Sequence, residues 1–246
     1  MPFPDLPTSD NAVLEAVTAA YARFDRRADA WLERFTREGG RVYCARGCAN
    51  CCDFPVQVSL AEALLVAVSL EGERLRAVER HARKVMRNAR GSSDWNAYLS
   101  AHREHVGFCP LLDRDSGACT AYAVRPTRCR DTYSVMDAWF CAAGAMARLT
   151  RAERAQYDRE VRQSEVTDGV THYVAPLERT SEPVWDVAGR VMRAAWGVEV
   201  WGDFWVLTTV ATDEAFMRAV RESNTARALK RANALGLWHP EIVRFE

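Results

Sequence analysis

Apolar residues recur at helical spacing along most of the chain, which predicts a protein built mainly from α-helices. The first such stretch follows Asp10, a predicted N-cap, and stops at the pair Gly39-Gly40. Its apolar positions are Val13, Val17, Tyr21, Phe24, Ala28, Trp31 and Phe35. The pattern predicts one long N-terminal helix with a buried stripe along one side.

Two capping boxes mark later helix starts. Ser59 precedes Glu62 by three residues, and Thr150 precedes Glu153 by the same distance. The first predicts an apolar helix to about Leu70, and the second a polar helix to about residue 164. Similar spacing predicts further helices over 74–90, 94–105, 136–149, 182–196 and 212–235.

Residues 41–43 are expected to form a short extended lead into the first cysteines, and two further segments favour extended structure. Residues 53–58 alternate around Pro55 and predict a short edge strand or an extended loop. Residues 198–210 are rich in β-branched and aromatic side chains, which favours a strand or a hairpin. The fold class that follows is mainly α, with an irregular cysteine-rich, metal-organised centre and a few short strands. We predict an N-terminal helix (1–40), a cysteine-cluster domain (41–148) and a mostly helical C-terminal extension packed on it (149–246).

Charge and composition limit the binding partners and the cellular compartment that we expect. Basic and acidic side chains number 33 each, so no overall field favours nucleic acid or an anionic membrane. The N-terminus lacks a secretory pattern, and no apolar run reaches the roughly 18–20 residues that span a bilayer. We therefore expect a cytoplasmic protein. In a reducing compartment, clustered cysteines are more often metal ligands than disulfides.

The eight cysteines form two unlike groups. The first is compact, with ligand spacing that lets one loop wrap a metal: Cys44, Cys48, Cys51 and Cys52. The second is dispersed and needs folded elements to bring its sulfurs together: Cys109, Cys119, Cys129 and Cys141. Thiolates select zinc, copper(I) or iron–sulfur clusters over magnesium and calcium. All eight are candidate metal ligands, and arginines that would offset thiolate charge flank them at 46, 125, 128 and 130.

The spacing from Cys44 to Cys51 also matches the loop by which radical SAM enzymes hold a [4Fe–4S] cluster. Asn50 stands where those enzymes usually have an aromatic residue, and Cys52 has no role in that scheme. The chain also lacks the alternating strands and helices of a partial barrel. These features argue against radical SAM chemistry.

The motifs resemble, in their order and in their residues, those of the YkgJ-type cysteine-cluster family, whose members have a zinc- or iron-chelating CxxCxxCC domain. The resemblance rests on the first cysteine group, on residues 58–62, and on the segments around Cys109, Cys119 and Cys129, closing with Cys141. It covers about residues 41–145. Three residues separate Cys44 from Cys48, where the family's label has two. The resemblance implies metal binding and leaves the reaction open.

Two hypotheses follow. In one, the cysteines hold an iron–sulfur cluster for redox or modification chemistry. In the other, they hold zinc in a non-enzymatic structural or interaction module. The adjacent Cys51 and Cys52 favour slightly either a larger cluster or ligands drawn from both cysteine groups, because neighbouring side chains tend to diverge from a single ion. A protein partner or substrate remains unidentified. Weaker candidates near the cysteines are His102, His105, Asp53 and Asp131.

Overall fold

Two long helices form the most extensive helix pair in the computed structural model, which describes residues 6–246. They are α1 (Thr8–Arg37) and α7 (Ala175–Trp196). Residues 1–5, which the sequence prediction counted in the N-terminal segment, lie outside the described residues. None of the helices in residues 6–246 is long and apolar enough to cross a membrane.

The other regular elements are mostly short. The remaining helices are α2 (Leu60–Ala67), α3 (Gly72–Gly91), α4 (Trp95–Ala101), α5 (Thr127–Asp131), α6 (Arg151–Gln163), α8 (Phe204–Val210), α9 (Glu214–Arg221) and α10 (Thr225–Ala234). The strands are β1 (Gln57–Ser59), β2 (Val200–Asp203) and β3 (Val243–Phe245). A π-helical turn occupies His102–Val106, and 3₁₀ turns occupy Tyr122–Val124, Ala138–Cys141 and Met146–Arg148.

The three strands form one antiparallel sheet in the order β1-β2-β3. Val58 pairs with Gly202, and Trp201 pairs with Arg244. Gly202 is required at its position, because a side chain there would collide with the backbone carbonyl of Ile242. Since β1 directly follows the first cysteine group, the C-terminal strands fix one end of that loop.

One continuous apolar core joins the N-terminal helix, the cysteine-bearing segment and the C-terminal extension. Among its largest fully buried side chains are Trp196, Trp205 and Phe216. Helix α8 packs on both α2 and α3. Core residues therefore come from both sides of the first cysteine loop in the sequence, and Val42 and Val56 beside that loop pack against the core.

The predicted fold class is confirmed: the structure is mainly α with a small sheet. Both capping boxes form as predicted, with Ser59 and Thr150 as N-caps. The strand predicted near 53–58 is present as β1. The first helix begins at Thr8, slightly before the predicted cap, and α7 begins seven residues before the predicted 182.

Three predicted elements differ for local reasons. Residues 136–149 form two 3₁₀ turns instead of a helix, and Gly144 between them adopts a left-handed φ of 66°. The predicted strand over 198–210 ends at Asp203, whose carboxylate accepts bonds from the Trp205 and Val206 amides and starts α8. The single helix predicted over 212–235 is divided at Ser223, where φ is 53°.

Candidate metal centre

Both cysteine groups line a single cavity of about 700 Å³. Its wall includes the whole first group and three of the second, namely Cys44, Cys48, Cys51, Cys52, Cys109, Cys119 and Cys129. The wall also includes apolar and aromatic side chains from the N-terminal helix, the loops and α8. The sequence predicted that folded elements bring the dispersed group to the compact one, and the cavity is where they meet.

Backbone contacts join the two groups. The Cys109 amide donates to the Cys52 carbonyl at 2.7 Å. Gly117 has a left-handed φ of 67° and packs so closely on the Gly47 backbone that a side chain would collide with the Gly47 carbonyl. These contacts hold the turn before Cys119 against the first cysteine loop. The Ser134 amide donates to Cys44 Sγ at 3.1 Å from a third segment.

Cys141 lies behind this wall and is buried. Its Sγ is 3.3 Å from His172 Nε2, and His172 Nδ1 is 2.9 Å from the Tyr157 hydroxyl. Burial raises the pKa of Cys141 to about 12, and the nearby charges of Cys44 and Cys51 add to the effect. Cys141 therefore belongs spatially with the first group. Sequence reasoning missed His172, since nothing in its spacing links it to a cysteine 31 residues away.

Cys109 receives two donors, the Trp205 indole Nε1 and the Leu111 amide, each 3.4 Å from its Sγ. Trp205 belongs both to the core and to the cavity wall, because it is buried in the core and its indole lines the cavity. The C-terminal segment thus supplies hydrogen bonds to sulfur at two points.

Burial raises the pKa of several of the wall thiols. It raises the pKa of Cys44 and of Cys109 to about 11 each, and it also raises the pKa of Cys119 and Cys129. A hydrogen bond between the side chains of Cys51 and Cys52 is the largest cause that raises the Cys51 pKa. Such thiols are neutral at pH 7. A metal that binds them as thiolates must displace protons, so its affinity rises with pH.

Arginines surround the cavity as predicted, and they differ in their partners. Arg130 makes bonds of 3.0 and 2.7 Å to the Asp25 carboxylate, and Arg128 reaches Glu178 at 3.3 Å. Arg125 and Arg46 lie over the Tyr122 ring, 3.9 and 5.6 Å from its centroid. Within residues 6–246 neither of these two forms an ion pair with a carboxylate.

The weaker candidates occupy other positions. Asp53 forms a buried ion pair with Arg103, with 2.6 Å between Oδ1 and Nη2. Asp131 accepts a bond from Ser181 at 2.6 Å, and burial raises its pKa to about 6. His102 is fully buried beside Trp205, whereas the side chain of His105 is 72% exposed, so the two histidines do not share a site.

The donor set suits a thiophilic metal by its chemistry, since it consists of thiols from several loops around one space. In the part of the chain that the structure describes, no three Cys, His, Asp or Glu side chains converge closely enough to hold a single metal ion. Binding one ion would require thiols to turn toward each other.

One protein-family model matches the chain, over residues 43–163. It is the CxxCxxCC model, described as "Putative zinc- or iron-chelating domain". The match confirms the cysteine-cluster resemblance for this segment, and metal chelation is what the domain's description states. No curated protein and no solved structure shows significant similarity to the chain. His172, Tyr173 and Trp205 lie outside the matched segment, although all three face cysteines.

Proposed function

We propose that the protein binds an iron–sulfur cluster through thiolates drawn from both cysteine groups, and that this cluster supports redox or modification chemistry. The candidate ligands are Cys44, Cys48, Cys51, Cys52, Cys109, Cys119, Cys129 and Cys141. The matched domain supports metal chelation, and an iron–sulfur cluster is our more specific proposal for the metal.

The observation that supports a cluster is the distribution of thiols around one large cavity. Seven thiols face about 700 Å³, and no three of the possible ligands meet at one point within residues 6–246. Thiolates on one zinc ion must crowd around a single atom. Thiolates on a cluster bind different irons and stand farther apart, and the absence of a three-ligand group within residues 6–246 fits that requirement better than it fits a single zinc ion.

The effects of the thiols on each other's pKa indicate which of them lie near one another. The pKa of Cys141 is raised by Cys44, Cys51 and Cys48, and that of Cys129 by Cys109, Cys51 and Cys119. Cys51 is therefore near both groups of neighbours, and the Cys52 carbonyl accepts a bond from the Cys109 amide. The eight thiols form two sets of four only once Cys51 is assigned to one set and Cys52 to the other.

This division also favours a second candidate function. Two sets of four thiols equal the requirement of two structural zinc ions, each bound by four cysteines. In that case the protein is a non-enzymatic zinc module, and the metals hold the irregular segment on the helical core for partner binding.

Purification without oxygen, followed by a visible spectrum and assays of iron, sulfide and zinc, separates the two functions. A brown protein with broad visible absorption and matching iron and sulfide supports the cluster. A colourless protein with two zinc ions rules it out in favour of the zinc module.

Single substitutions then test the sharing of ligands. With two zinc ions, Cys141→Ser and Cys129→Ser should each remove one ion and leave the other. With one cluster, either substitution should lower iron and sulfide together. Cys51→Ser and Cys52→Ser, made separately, test whether both neighbours are ligands, because the loss of a true ligand lowers metal content.

A further inference from the structure

The cavity wall holds more than thiols. Leu32, Val42, Phe54, Leu111 and Phe204 give it an extended apolar surface. A volume of about 700 Å³ falls within the roughly 300–1,000 Å³ of pockets that bind small organic molecules. A metal ion bound by the thiols would occupy only a small part of a space of this size.

Two buried donors in the same wall lack hydrogen-bond partners among the described residues. They are the Gln57 side-chain amide nitrogen Nε2 and the Arg125 guanidinium nitrogen Nε. Buried donors in native proteins are normally paired with protein, water or ligand. Both of these groups donate, so a ligand that satisfies them must present acceptor oxygens.

The charge of the wall indicates the sign of that ligand. Arg125 and Arg46 share the Tyr122 ring and have no carboxylate partner in residues 6–246. Glu178 is the only carboxylate among the wall residues that the structure describes, and Arg128 lies 3.3 Å from it. While the thiols are protonated, the wall therefore has net positive charge beside an apolar surface.

We infer that the cavity binds a small amphipathic organic anion, whose acidic group bonds to Arg125 and Gln57 and whose apolar part packs on Phe54 and Phe204. This inference adds a second ligand to the cavity of the proposed metal centre. It rests on the proposed function only in so far as bound metal orders the cysteine-bearing part of the wall. The competing role for Arg125 is to neutralise thiolates, and the test separates the two roles.

The probe is 8-anilinonaphthalene-1-sulfonate, which combines aromatic rings with an acceptor-only anion. Its uncharged counterpart, N-phenyl-1-naphthylamine, has the same rings without the sulfonate. Fluorescence titrations use the full chain, purified without oxygen, and the metal content of each sample is measured. Variants are Arg125→Met and Gln57→Leu, with Arg114→Met as control because Arg114 lies over the exposed Phe108, outside the cavity wall. Circular dichroism checks that each variant is folded.

We expect one sulfonate probe per chain, and Arg125→Met should weaken its binding about tenfold, as the loss of one charge-assisted bond does. Gln57→Leu should weaken it less, Arg114→Met should leave it unchanged, and the uncharged probe should bind all variants alike. The inference is wrong if the native chain does not bind the sulfonate, or if Arg125→Met binds both probes as before. It is also wrong if Arg125→Met loses metal together with the sulfonate, because Arg125 then serves the thiolates. Arginine-dependent sulfonate binding by a native chain without metal would uphold this inference and refute the metal proposal.

Discussion

Arg103 connects the first cysteine loop to Cys141. Its guanidinium donates to the Cys141 carbonyl at 2.9 Å, lies 2.6 Å from Asp53 and stacks 3.9 Å above Phe54. Removing one partner of a buried ion pair costs about 3–5 kcal/mol, because the other charge stays buried. We expect Arg103→Met to lower the free energy of unfolding by about 3 kcal/mol and to lower metal content, measured by urea unfolding and metal analysis.

Arg76 provides the matched control. It pairs with Glu73 on an exposed face of α3, where an ion pair contributes little. Arg76→Met should change stability by less than about 0.5 kcal/mol and leave the metal content as it was. Equal effects of the two substitutions would show that Arg103 has no special structural role.

Asp203 should make stability depend on pH. It is fully buried at the start of α8, and burial raises its pKa from 3.8 to about 7. Between these values the folded state binds a proton that the unfolded state does not, so the Asp203 contribution to stability falls as pH rises. From pH 5 to pH 8 we expect a loss on the order of 2 kcal/mol from this residue. Asp203→Asn keeps a capping oxygen and should remove that loss in urea titrations at the two pH values. Parallel pH profiles for the native chain and the variant would contradict the assignment.

For single residues, the sequence identified the cysteines as candidate metal ligands but did not predict most of the side chains that surround them. Thiol chemistry and close spacing identify candidate ligands without a structure. Two of the side chains that contact the sulfurs are Trp205, which is 96 residues from Cys109, and His172, which is 31 residues from Cys141. Only tertiary packing brings them together, and neither residue type is distinctive by itself.

The two capping boxes, which are alike in sequence, have very different surroundings. Glu62 is fully buried and accepts bonds from Ser59, from the Tyr21 hydroxyl and from Thr127, so it joins α2 to α1 and α5. Glu153 caps α6 at an exposed position. The motif predicts the helix start in both cases, but it does not reveal which carboxylate is also a junction between elements.

Replacing each glutamate by glutamine tests that difference. A glutamine at 62 has an NH2 group in place of one carboxylate oxygen. That group faces hydrogen-bond donors that the carboxylate accepted from, so they lose their acceptor, and unpaired buried groups cost about 1–3 kcal/mol each. We expect Glu62→Gln to destabilise the protein by about 3 kcal/mol and Glu153→Gln by less than about 1 kcal/mol, measured by urea unfolding. If the two costs are similar, the Glu62 bonds contribute no more than an ordinary cap.

Elements with strong local signals were predicted, and those decided by a single side chain were not. Helices α3 and α6 were predicted close to their observed bounds, α3 from its helical periodicity and α6 from the Thr150 capping box. The change from β2 to α8 depends on the Asp203 carboxylate, within a segment whose β-branched residues favour a strand. The break between α9 and α10 depends on Ser223 and on Asn224, which caps α10. Such choices are settled by a few hydrogen bonds and leave the hydrophobic pattern unchanged.

Across the whole molecule, the helical core and the cysteine-bearing loops differ in what stabilises them. The core runs continuously from α1 through α2, α3 and α8 to the C-terminal helices. The loops around residues 41–56 and 107–126 contain few regular elements and depend on contacts such as that between Gly47 and Gly117. Metal bound between the thiols would stabilise the loops directly and the core only indirectly.

Metal removal should therefore loosen one part of the protein and preserve the other. Small zinc domains unfold without metal because they have no other core, whereas this chain has a large one. We expect chelator-treated protein to keep most of its helical circular dichroism and to melt at a lower temperature, since a ligand that binds only the folded state raises its stability. Trypsin should then cut after Arg46 and Arg114 in the loops before it cuts after Arg76 in α3, and restoring the metal should protect both loop sites. Collapse of the helical signal on chelation would show instead that the core itself depends on the metal.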